Sequence, residues 1–554
     1  MLKKFLSVVL LLVLLISIVG CTKDESASSK PNKSGSKDLS PVTFTYFNAG
    51  TPGKNMNTNE TTIGKKLEEQ TGDNFKVEYL AGDLNTKIGT MIASGKYPDI
   101  LSPDAGIDKV LDAGGLINLT DLIEKHAPNL KKLYGPYLNR MKDNDGKIYF
   151  IPFNAPQSFV ADPNITQGAF WIQRGILKEA GYPKIKTLDE YFNLIEQYQL
   201  KHPKVDGSST IGFTALTYDW RFYALSNVPN HLAGYPNDGE VMVDMDTHKT
   251  SVYANKDETK RYLQKLNELN SKGLFDKEAF VANYDEYLAK ISSGRVLGFF
   301  DYGWEVQQAL DNLKAAGNDD KRYMPLPITF DGQKDQYIDP MTFINNRGIG
   351  ITVSAKDPVR IIKYFDNLAK EENQKLAFWG IKDETYSVND KGRFYQTPEQ
   401  AEKTADQKYR EESGLKMFEY YWPHGDGLYS DGNAWNPSKQ PEVATMSYTD
   451  GDKAILKAYG ATVFSDLFAK PDDRPWYPTW SASIKQGSAP QIFGTKKTDL
   501  IKKYFPKLVL SSPSEFNSLW KEYTKEFNSL DTKSFEKFMD KVVEDRINEI
   551  VTSK

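Results

Sequence analysis

The folded part of the chain opens with the stretch VTFTYFNAG, residues 42–50. Its β-branched and aromatic residues alternate with polar ones, which predicts a strand. Two more predicted strands follow, FKVEYLAG at 75–82 and YPDIL at 97–101, separated by helical patterns at 60–70 and 85–94. Strands that alternate with helices favour a parallel sheet with right-handed crossovers. The fold class predicted from this stretch is therefore α/β.

Later helices carry their own start signals. A capping box runs from Thr187 to Glu190 and another from Ser512 to Glu515, and Asp357-Pro358 opens a further helix. The apolar stripes behind these starts are typical of core packing. A chain of 554 residues is too long for one ordinary core, so two or more lobes are expected.

The N-terminal segment predicts a lipid anchor. Lys3 and Lys4 precede an apolar run from Phe5 to Val19, which is long enough for a signal peptide and short for a spanning helix. The run ends in IVGC at residues 18–21, which resembles a bacterial lipobox. Such a signal is cut before Cys21, whose thiol takes the lipid, and residues 22–40 then form a flexible polar tether. The alternative is an ordinary secretory signal that happens to contain a cysteine.

Composition excludes several classes of protein. The mean hydropathy is -0.55, too polar for a polytopic membrane protein. The net charge is -4, which argues against a nucleic-acid binder. One cysteine can form neither an internal disulfide nor a cysteine-based zinc site.

The sequence gives no local support for catalysis. The five histidines form no HExxH pattern, and neither a GxSxG elbow nor a Walker A loop is present. The acidic segment 244–248 is followed by Lys249 and Asn255 where a calcium loop needs a glycine and a glutamate, and the segment 143–146 is better read as a turn. We therefore predict no enzyme, no cofactor and no metal, although a pair of glycosidase carboxylates leaves no sequence motif and stays an alternative.

Aromatic residues cluster in the last third of the chain. Thirteen of the residues from 418 to 480 are aromatic, and several stand beside Gly, Pro, Asp or Asn. A sugar ring stacks its apolar face on Trp or Tyr while its hydroxyls bond to polar groups, so this mixture suits a carbohydrate site. The alternative is that these residues fill the cores of a large protein.

Six motifs, in this order along the chain, carry a resemblance to a family. They are SGKYPDI at 94–100, NLTDLI at 118–123, DGKIYFIP at 145–152, WI at 171–172 with KTLDE at 186–190, GRVLGFF at 294–300 with GW at 303–304, and AILKAYG at 454–460. Together with the lipobox they resemble the extracellular solute-binding lipoproteins of carbohydrate ABC importers, family 1, and among these the long LplA/LipO-type lipoproteins of Gram-positive bacteria.

The resemblance implies a two-lobe, periplasmic-binding-protein-like fold of type II, with mixed sheets flanked by helices and a ligand cleft between the lobes. It implies a monomer that closes on an oligosaccharide and delivers it to permease subunits coupled to an ATPase. The protein would act on the outer side of the cell membrane. The alternatives are the same fold with a non-sugar ligand such as a peptide, and a surface glycoside hydrolase.

The resemblance also implies which residues line the cleft. The ligand-binding candidates are Asn48, Trp171, Tyr218, Trp220, Arg221, Tyr302, Trp304 and Trp435. Among them Trp304 is expected to stack on a sugar. Asp99 either lies near the cleft or caps local structure.

The expected domain order follows from the same resemblance. A signal peptide at 1–20 and a lipidated tether at 21–40 precede the folded body. The expected body consists of a first lobe at 41–160, a second lobe at 161–300, a hinge crossing with more of the first lobe at 301–370, and more of the second lobe with an aromatic-rich extension at 371–554.

Overall fold

A computed structural model describes residues 39–50, 53–152 and 154–552, with side chains described up to residue 549. The predicted signal peptide, Cys21 and nearly all of the predicted tether lie outside the described residues. From Leu39 onward the chain packs as a single compact unit.

The strands, in chain order, are β1 Val42–Asn48, β2 Met56–Asn57, β3 Asp73–Tyr79, β4 Ile100–Ser102, β5 Phe150–Pro152, β6 Ala155–Pro156, β7 Gly168–Gln173, β8 Lys204–Val205, β9 Ser208–Ser209, β10 Ile211–Thr214, β11 Val241–Val243, β12 Thr250–Val252, β13 Val296–Tyr302, β14 Tyr323–Leu326, β15 Gly348–Ile351, β16 Ser387–Val388, β17 Phe394–Tyr395 and β18 Gly425–Asp426.

The α-helices are α1 Thr62–Thr71, α2 Leu84–Ser94, α3 Ile107–Asp112, α4 Thr120–His126, α5 Pro128–Tyr134, α6 Arg174–Glu179, α7 Leu188–Lys201, α8 Tyr223–Ser226, α9 Val228–Leu232, α10 Asp257–Ser271, α11 Tyr284–Ser292, α12 Gly303–Ala315, α13 Pro358–Leu368, α14 Glu371–Trp379, α15 Pro398–Ala405, α16 Gln407–Ser413, α17 Pro441–Ala444, α18 Asp450–Tyr459, α19 Ala489–Leu510, α20 Pro513–Phe527 and α21 Thr532–Thr552.

The first sheet has the strand order β2-β3-β1-β4-β15-β5. Its centre is parallel, since β1 pairs with β3 on one side and with β4 on the other. This confirms the alternation of strands and helices predicted from residues 42–101. The late strand β15 then joins β4 in the antiparallel sense, with Gly350 opposite Leu101.

The second sheet has the order β10-β13-β7-β14. Strands β10 and β13 are parallel, and β7 runs antiparallel to β13 and β14. Because β10 and β13 are parallel neighbours, their carboxyl ends meet at one edge of this sheet. That edge carries the candidate site described below.

The predicted helix starts are present. Thr187 accepts a hydrogen bond from the backbone N–H of Glu190 at the start of α7, and Glu190 accepts one in return. Asp357 caps α13 through the N–H of Arg360. Ser512 and Glu515 form the capping box of α20.

Two large hydrophobic cores define two lobes. The first lobe surrounds the first sheet and takes its core residues from 44–155 and 343–435. The second lobe surrounds the second sheet and takes its core residues from 165–338 and 448–543. The chain therefore passes between the lobes in three segments, 156–164, 339–342 and 436–447. This α/β architecture agrees with the predicted fold class.

The boundaries of the lobes differ from the expected ones. Residues 301–338, expected to return to the first lobe, stay in the core of the second lobe. Most of 371–435, expected in the second lobe, packs into the first. Trp422 shows the reason, since its ring packs edge-on against those of Tyr46 in β1 and Phe75 in β3. Such contacts join parts of the chain that no local sequence pattern connects.

None of the described helices combines the length and the apolar character needed to cross a membrane.

Candidate functional site

Two exposed tryptophans lie together at the carboxyl edge of the second sheet. Trp220 stands in a single 3-10 turn, Asp219–Phe222, beyond β10, and Trp304 stands in the first turn of α12, directly after β13. Their ring centroids are 6.2 Å apart and their planes differ by 8°. We call this pair the aromatic platform. Tyr223 extends it, because its ring lies 5.8 Å from that of Trp220 at 14°.

The platform faces solvent. Trp220 is 59% exposed and Trp304 is 52% exposed, and Tyr218 beside them is 46% exposed. Large aromatic side chains are usually buried, so a rigid exposed pair indicates a binding surface for an apolar face. The predicted residues Tyr218, Trp220, Arg221 and Trp304 are therefore close neighbours in the structure.

Gly303 lets α12 start close to the chain segment that precedes β7. A Cβ atom at this position would lie 2.2 Å from the carbonyl oxygen of Ile165. The N–H groups of Gly303 and Trp304 donate to the carbonyls of Gln167 and Thr166, respectively. These contacts fix the backbone that carries the Trp304 ring.

Arg221 is held on both faces of its guanidinium group. The group lies 4.5 Å from the ring centre of Trp220 and 4.2 Å from that of Tyr284, which are cation–π distances. Its Nη1 donates to Asp219 at 2.8 Å, and its Nε lies 3.5 Å from Oε1 of Glu305. Because its charge is already paired, Arg221 acts as part of the frame around Trp220.

A buried pair of carboxyl groups, Asp301 and Glu305, lies behind the platform. Asp301 at the end of β13 accepts hydrogen bonds from the Tyr287 hydroxyl and from the backbone N–H of Tyr302, both at 2.7 Å. The side chain of Glu305 is 0% exposed, and its Oε1 lies 3.5 Å from Nε of Arg221. The two carboxyl groups are within hydrogen-bonding reach of each other.

Burial and mutual repulsion shift the titration of this pair. Burial, followed by the negative charge of Asp301, raises the pKa of Glu305 far above its ordinary value. Burial also raises the pKa of Asp301, against the hydrogen bonds from Tyr287 and Tyr302. Two adjacent carboxyl groups in such a site retain one proton between them at neutral pH.

The pair does not have the geometry of a glycosidase. In glycosidases the two carboxyl groups stand about 5 to 10 Å apart on either side of the sugar bond. Here they are hydrogen-bonding neighbours, and both residues are almost completely buried. A sugar on the platform could not contact them.

Trp171 and Tyr302 are buried below the platform. The Trp171 indole N–H donates to the carbonyl of Asp301 at 3.0 Å, so this residue supports β13 from within the sheet. The Tyr302 ring lies 6.5 Å from that of Trp304, and its hydroxyl lies 3.3 Å from Nε2 of His231. Burial lowers the pKa of His231 to about 3, so that imidazole is neutral.

The first lobe carries a polar cluster at the carboxyl edge of its own sheet. Asp104 follows β4, and its Oδ1 accepts a hydrogen bond from the Tyr421 hydroxyl and lies 3.1 Å from Nε of Arg347. Asp104 and Tyr421 have positive φ angles of 47° and 65°. Non-glycine residues hold this strained conformation where the surrounding structure forces it, and such residues cluster at functional sites.

Asn48 belongs to the same edge. It ends β1, and its Oδ1 accepts a hydrogen bond from the N–H of Gly50 at 2.8 Å. Gly50 lies so close to Tyr421 that a Cβ atom would overlap its ring. Asn48 therefore shapes the turn against which Tyr421 packs.

Two further candidates have structural contacts. Asp99 accepts hydrogen bonds from the N–H and hydroxyl of Thr45 and from the N–H of Lys356, which is the capping role considered from the sequence. Trp435 is buried in the first lobe, stacked on Tyr429 at 4.3 Å and bonded to Gln374. The structure does not bring Trp435 to the platform.

Sequence reasoning missed Asp104, Arg347 and the buried role of Glu305. Asp104 had one available signal, because it directly follows a predicted strand of a parallel sheet, where ligand sites form. Nothing local marks Arg347 or Glu305. Within the described part of the chain, no group of three or more His, Cys, Asp or Glu is arranged to hold a metal ion.

Comparison with known proteins gives one family match. The sequence model of a family described as bacterial extracellular solute-binding protein matches residues 62–391. A curated relative, the fructooligosaccharide ABC transporter substrate-binding protein FusA of Streptococcus pneumoniae serotype 4, is 29% identical over 315 residues. That match covers 51% of this chain and 55% of the relative, so the chain spans about half the length of the curated relatives it matches.

Solved structures resemble the whole fold. The structure of FusA from S. pneumoniae in complex with kestose has a TM-score of 0.66 at 19% identity, and the match covers 92% of this chain and 100% of that one. An HMO-binding, ABC-transporter-associated solute-binding protein from Bifidobacterium longum infantis has the same TM-score at 15% identity, with 92% and 99% covered. At these identities the likeness shows the two-lobe fold alone.

Proposed function

The chain belongs to the family of bacterial extracellular solute-binding proteins, and from this we propose that it captures an oligosaccharide between its lobes and delivers it to an ABC importer. The aromatic platform is the observation that carries the proposal. Two parallel, exposed indole rings offer the flat apolar surface on which a sugar ring stacks. The kestose-bound FusA structure and the curated relative FusA support a carbohydrate as the ligand.

The polar cluster of the first lobe would supply hydrogen bonds to the sugar hydroxyls. Both the cluster and the platform stand at the carboxyl edges of parallel strands, where ligands bind in open α/β sheets. Three chain segments join the lobes, which suits a hinge that closes on a ligand. Asn48, Tyr218, Trp220 and Trp304 remain our candidates for residues near the ligand, with Tyr302 and Trp171 behind them.

We propose binding without turnover. The family consists of binding proteins, and the one carboxyl pair behind the platform is buried away from any ligand. We also propose that a lipid on Cys21 holds the protein at the outer face of the cell membrane as a monomer. The apolar run and the IVGC motif support this anchor.

The test is calorimetric titration of the purified protein with a panel of oligosaccharides that includes kestose, and with peptides as the competing ligand class. Binding of one sugar without its cleavage is expected. Trp304→Ala should weaken that binding by about 2 kcal/mol, roughly thirtyfold, because a central aromatic anchor is lost.

Leu200→Ala is the matched control, since Leu200 is an exposed apolar residue of α7 whose neighbour Gln199 bonds to Thr210 at the amino end of β10, opposite the platform. It should bind as the wild type does. Scattering in solution should show a smaller radius of gyration with the ligand bound, because the hinge closes. Peptide binding, sugar release or unchanged affinity of Trp304→Ala would each contradict the proposal.

A further inference from the structure

We propose that Glu305 is a positioning residue for the aromatic platform: from its buried place beside Asp301 it holds the guanidinium group of Arg221, and Arg221 in turn orients Trp220 against Trp304. The effect on ligands rests on the proposed function. The effect on the platform itself does not.

Glu305 cannot act on a ligand directly. Its side chain is completely buried, whereas the platform rings are more than half exposed. Arg221 connects Glu305 to the exposed platform. Nε of Arg221 lies 3.5 Å from Oε1 of Glu305, and the guanidinium plane of Arg221 covers Trp220. Tyr284 packs on the opposite face of Arg221, and its hydroxyl donates to the backbone carbonyl of Glu305. Glu305 therefore contacts Arg221 through its side chain and holds Tyr284, on the opposite face of Arg221, through its backbone carbonyl.

Arg221 is the one cation among the groups that face the pair of carboxyl groups, so the second negative charge of a fully ionised pair would have no partner there. The titratable or charged groups that face it from the packed elements are Asp301 and Tyr302 of β13, Tyr223 of α8, Arg221, and Tyr284 and Tyr287 of α11. Arg221 is the single cation among these groups, and it already has an ion pair with Asp219. With one proton shared by Asp301 and Glu305, the pair carries one negative charge. Loss of that proton adds a second buried negative charge without a partner.

The second negative charge on Asp301 and Glu305 needs a cation or water to stabilise it, and the exposed surface in front of the pair is the aromatic platform. Unpaired buried charges are strongly unfavourable, so the structure relaxes by letting water or Arg221 move toward the pair. Arg221 is the nearest cation, and its movement toward the pair withdraws its guanidinium group from the face of Trp220. The parallel stack should therefore be ordered at neutral pH and loosened on the alkaline side.

The experiment follows tryptophan fluorescence of the full-length protein from neutral to alkaline pH. The wild type should show an alkaline transition in addition to the tyrosine ionisation near pH 10 that all the variants share. Glu305→Gln should lack it, because the amide is a neutral isostere that can still donate to Asp301. Trp220→Phe should lose most of its amplitude, since Trp220 reports it.

Glu419→Gln is the matched control. Glu419 is another buried carboxyl with a raised pKa, about 7, caused by burial, and it lies in the first lobe. This variant should keep the transition. If Glu305→Gln does not fold, Asp301→Asn serves, because removing the neighbouring charge should move the transition to lower pH. A transition that both Glu305→Gln and Asp301→Asn leave unchanged overturns the inference.

Kestose affinity gives a second readout in the same proteins. If kestose binds, its dissociation constant for the wild type should rise about tenfold across the transition and stay constant for Glu305→Gln. A wild-type affinity that does not change across the transition would contradict the role in positioning. Absence of kestose binding at every pH would count against kestose as the ligand, while fluorescence alone would still decide the role of Glu305.

Discussion

Glu305 makes the stability of the second lobe depend on pH. Burial, followed by the negative charge of Asp301, raises its folded-state pKa well above the ordinary value of 4.5. A raised pKa contributes stability that is complete below the unfolded value, and this is lost as pH rises toward the folded value. Between those two values the folded protein keeps a proton that the unfolded chain has released, so each pH unit makes folding less favourable.

Glu305→Gln should therefore stabilise the protein at alkaline pH. The variant has no proton to lose, so its melting temperature relative to the wild type should be higher at pH 8 than at pH 5. Differential scanning calorimetry at both values measures this. A difference between the two proteins that does not depend on pH would contradict a buried, protonated Glu305.

The tryptophans illustrate how far single residues can be predicted from sequence. Trp171, Trp304 and Trp435 all stand in segments of mixed aromatic and polar character, yet only Trp304 is exposed. Trp304 follows Gly303 and strand β13, so it lies at the carboxyl edge of the second sheet. Trp435 packs against Tyr429, which lies near it in sequence, but its burial is completed by Gln374, about sixty residues earlier. The local sequence around Trp435 does not indicate its contact with Gln374.

Among the secondary-structure elements, α21 joins distant parts of the fold through Arg546. Its guanidinium group donates to the carbonyls of Trp476 and Pro478, to the hydroxyl of Ser481 and to Oδ1 of Asn345. Asn345 in turn donates to the carbonyl of Arg140 in the first lobe. The last helix therefore braces the segment beside one of the crossings between the lobes.

Arg546→Met should cost about 3 kcal/mol of unfolding free energy, because it leaves several buried acceptors without a donor while keeping most of the apolar volume. Urea denaturation followed by circular dichroism measures it. Lys541→Met on the same helix is the control. Its ion pair with Asp545 is exposed, so a change below about 0.5 kcal/mol is expected. Equal losses in the two variants would contradict the bracing role.

Elements with strong local signals were predictable. Strands β1, β3 and β4 and helices α1 and α2 follow the periodicity of residues 42–101, and the capping boxes mark α7 and α20. The placement of 371–435 was not predictable, because it depends on contacts with distant residues, such as that of Trp422 with Phe75. Local propensity determines the type of an element, whereas tertiary packing determines its partner.

For the whole molecule, we predict that a lipid on Cys21 anchors the protein to the cell membrane. If Cys21 carries the lipid, Cys21→Ala should release the protein from the cell surface into the medium, because its anchor is lost. Cell fractionation with immunoblotting checks this, and metabolic labelling with palmitate should mark the wild type but not Cys21→Ala. Ser26→Ala in the tether is the control and should stay on the cell. Retention of Cys21→Ala at the surface would favour another mode of attachment.

The three crossings between the lobes also determine when each lobe can fold during synthesis. Strand β15 inserts between β4 and β5 of the first sheet, although it is made about two hundred and fifty residues after β4. The core of the first lobe needs residues as late as Trp435. A chain leaving the ribosome therefore cannot finish either lobe until most of its length has emerged. For an exported protein this delay is useful, since an incomplete chain stays unfolded, can pass through the secretion pore and folds only after it has crossed the membrane.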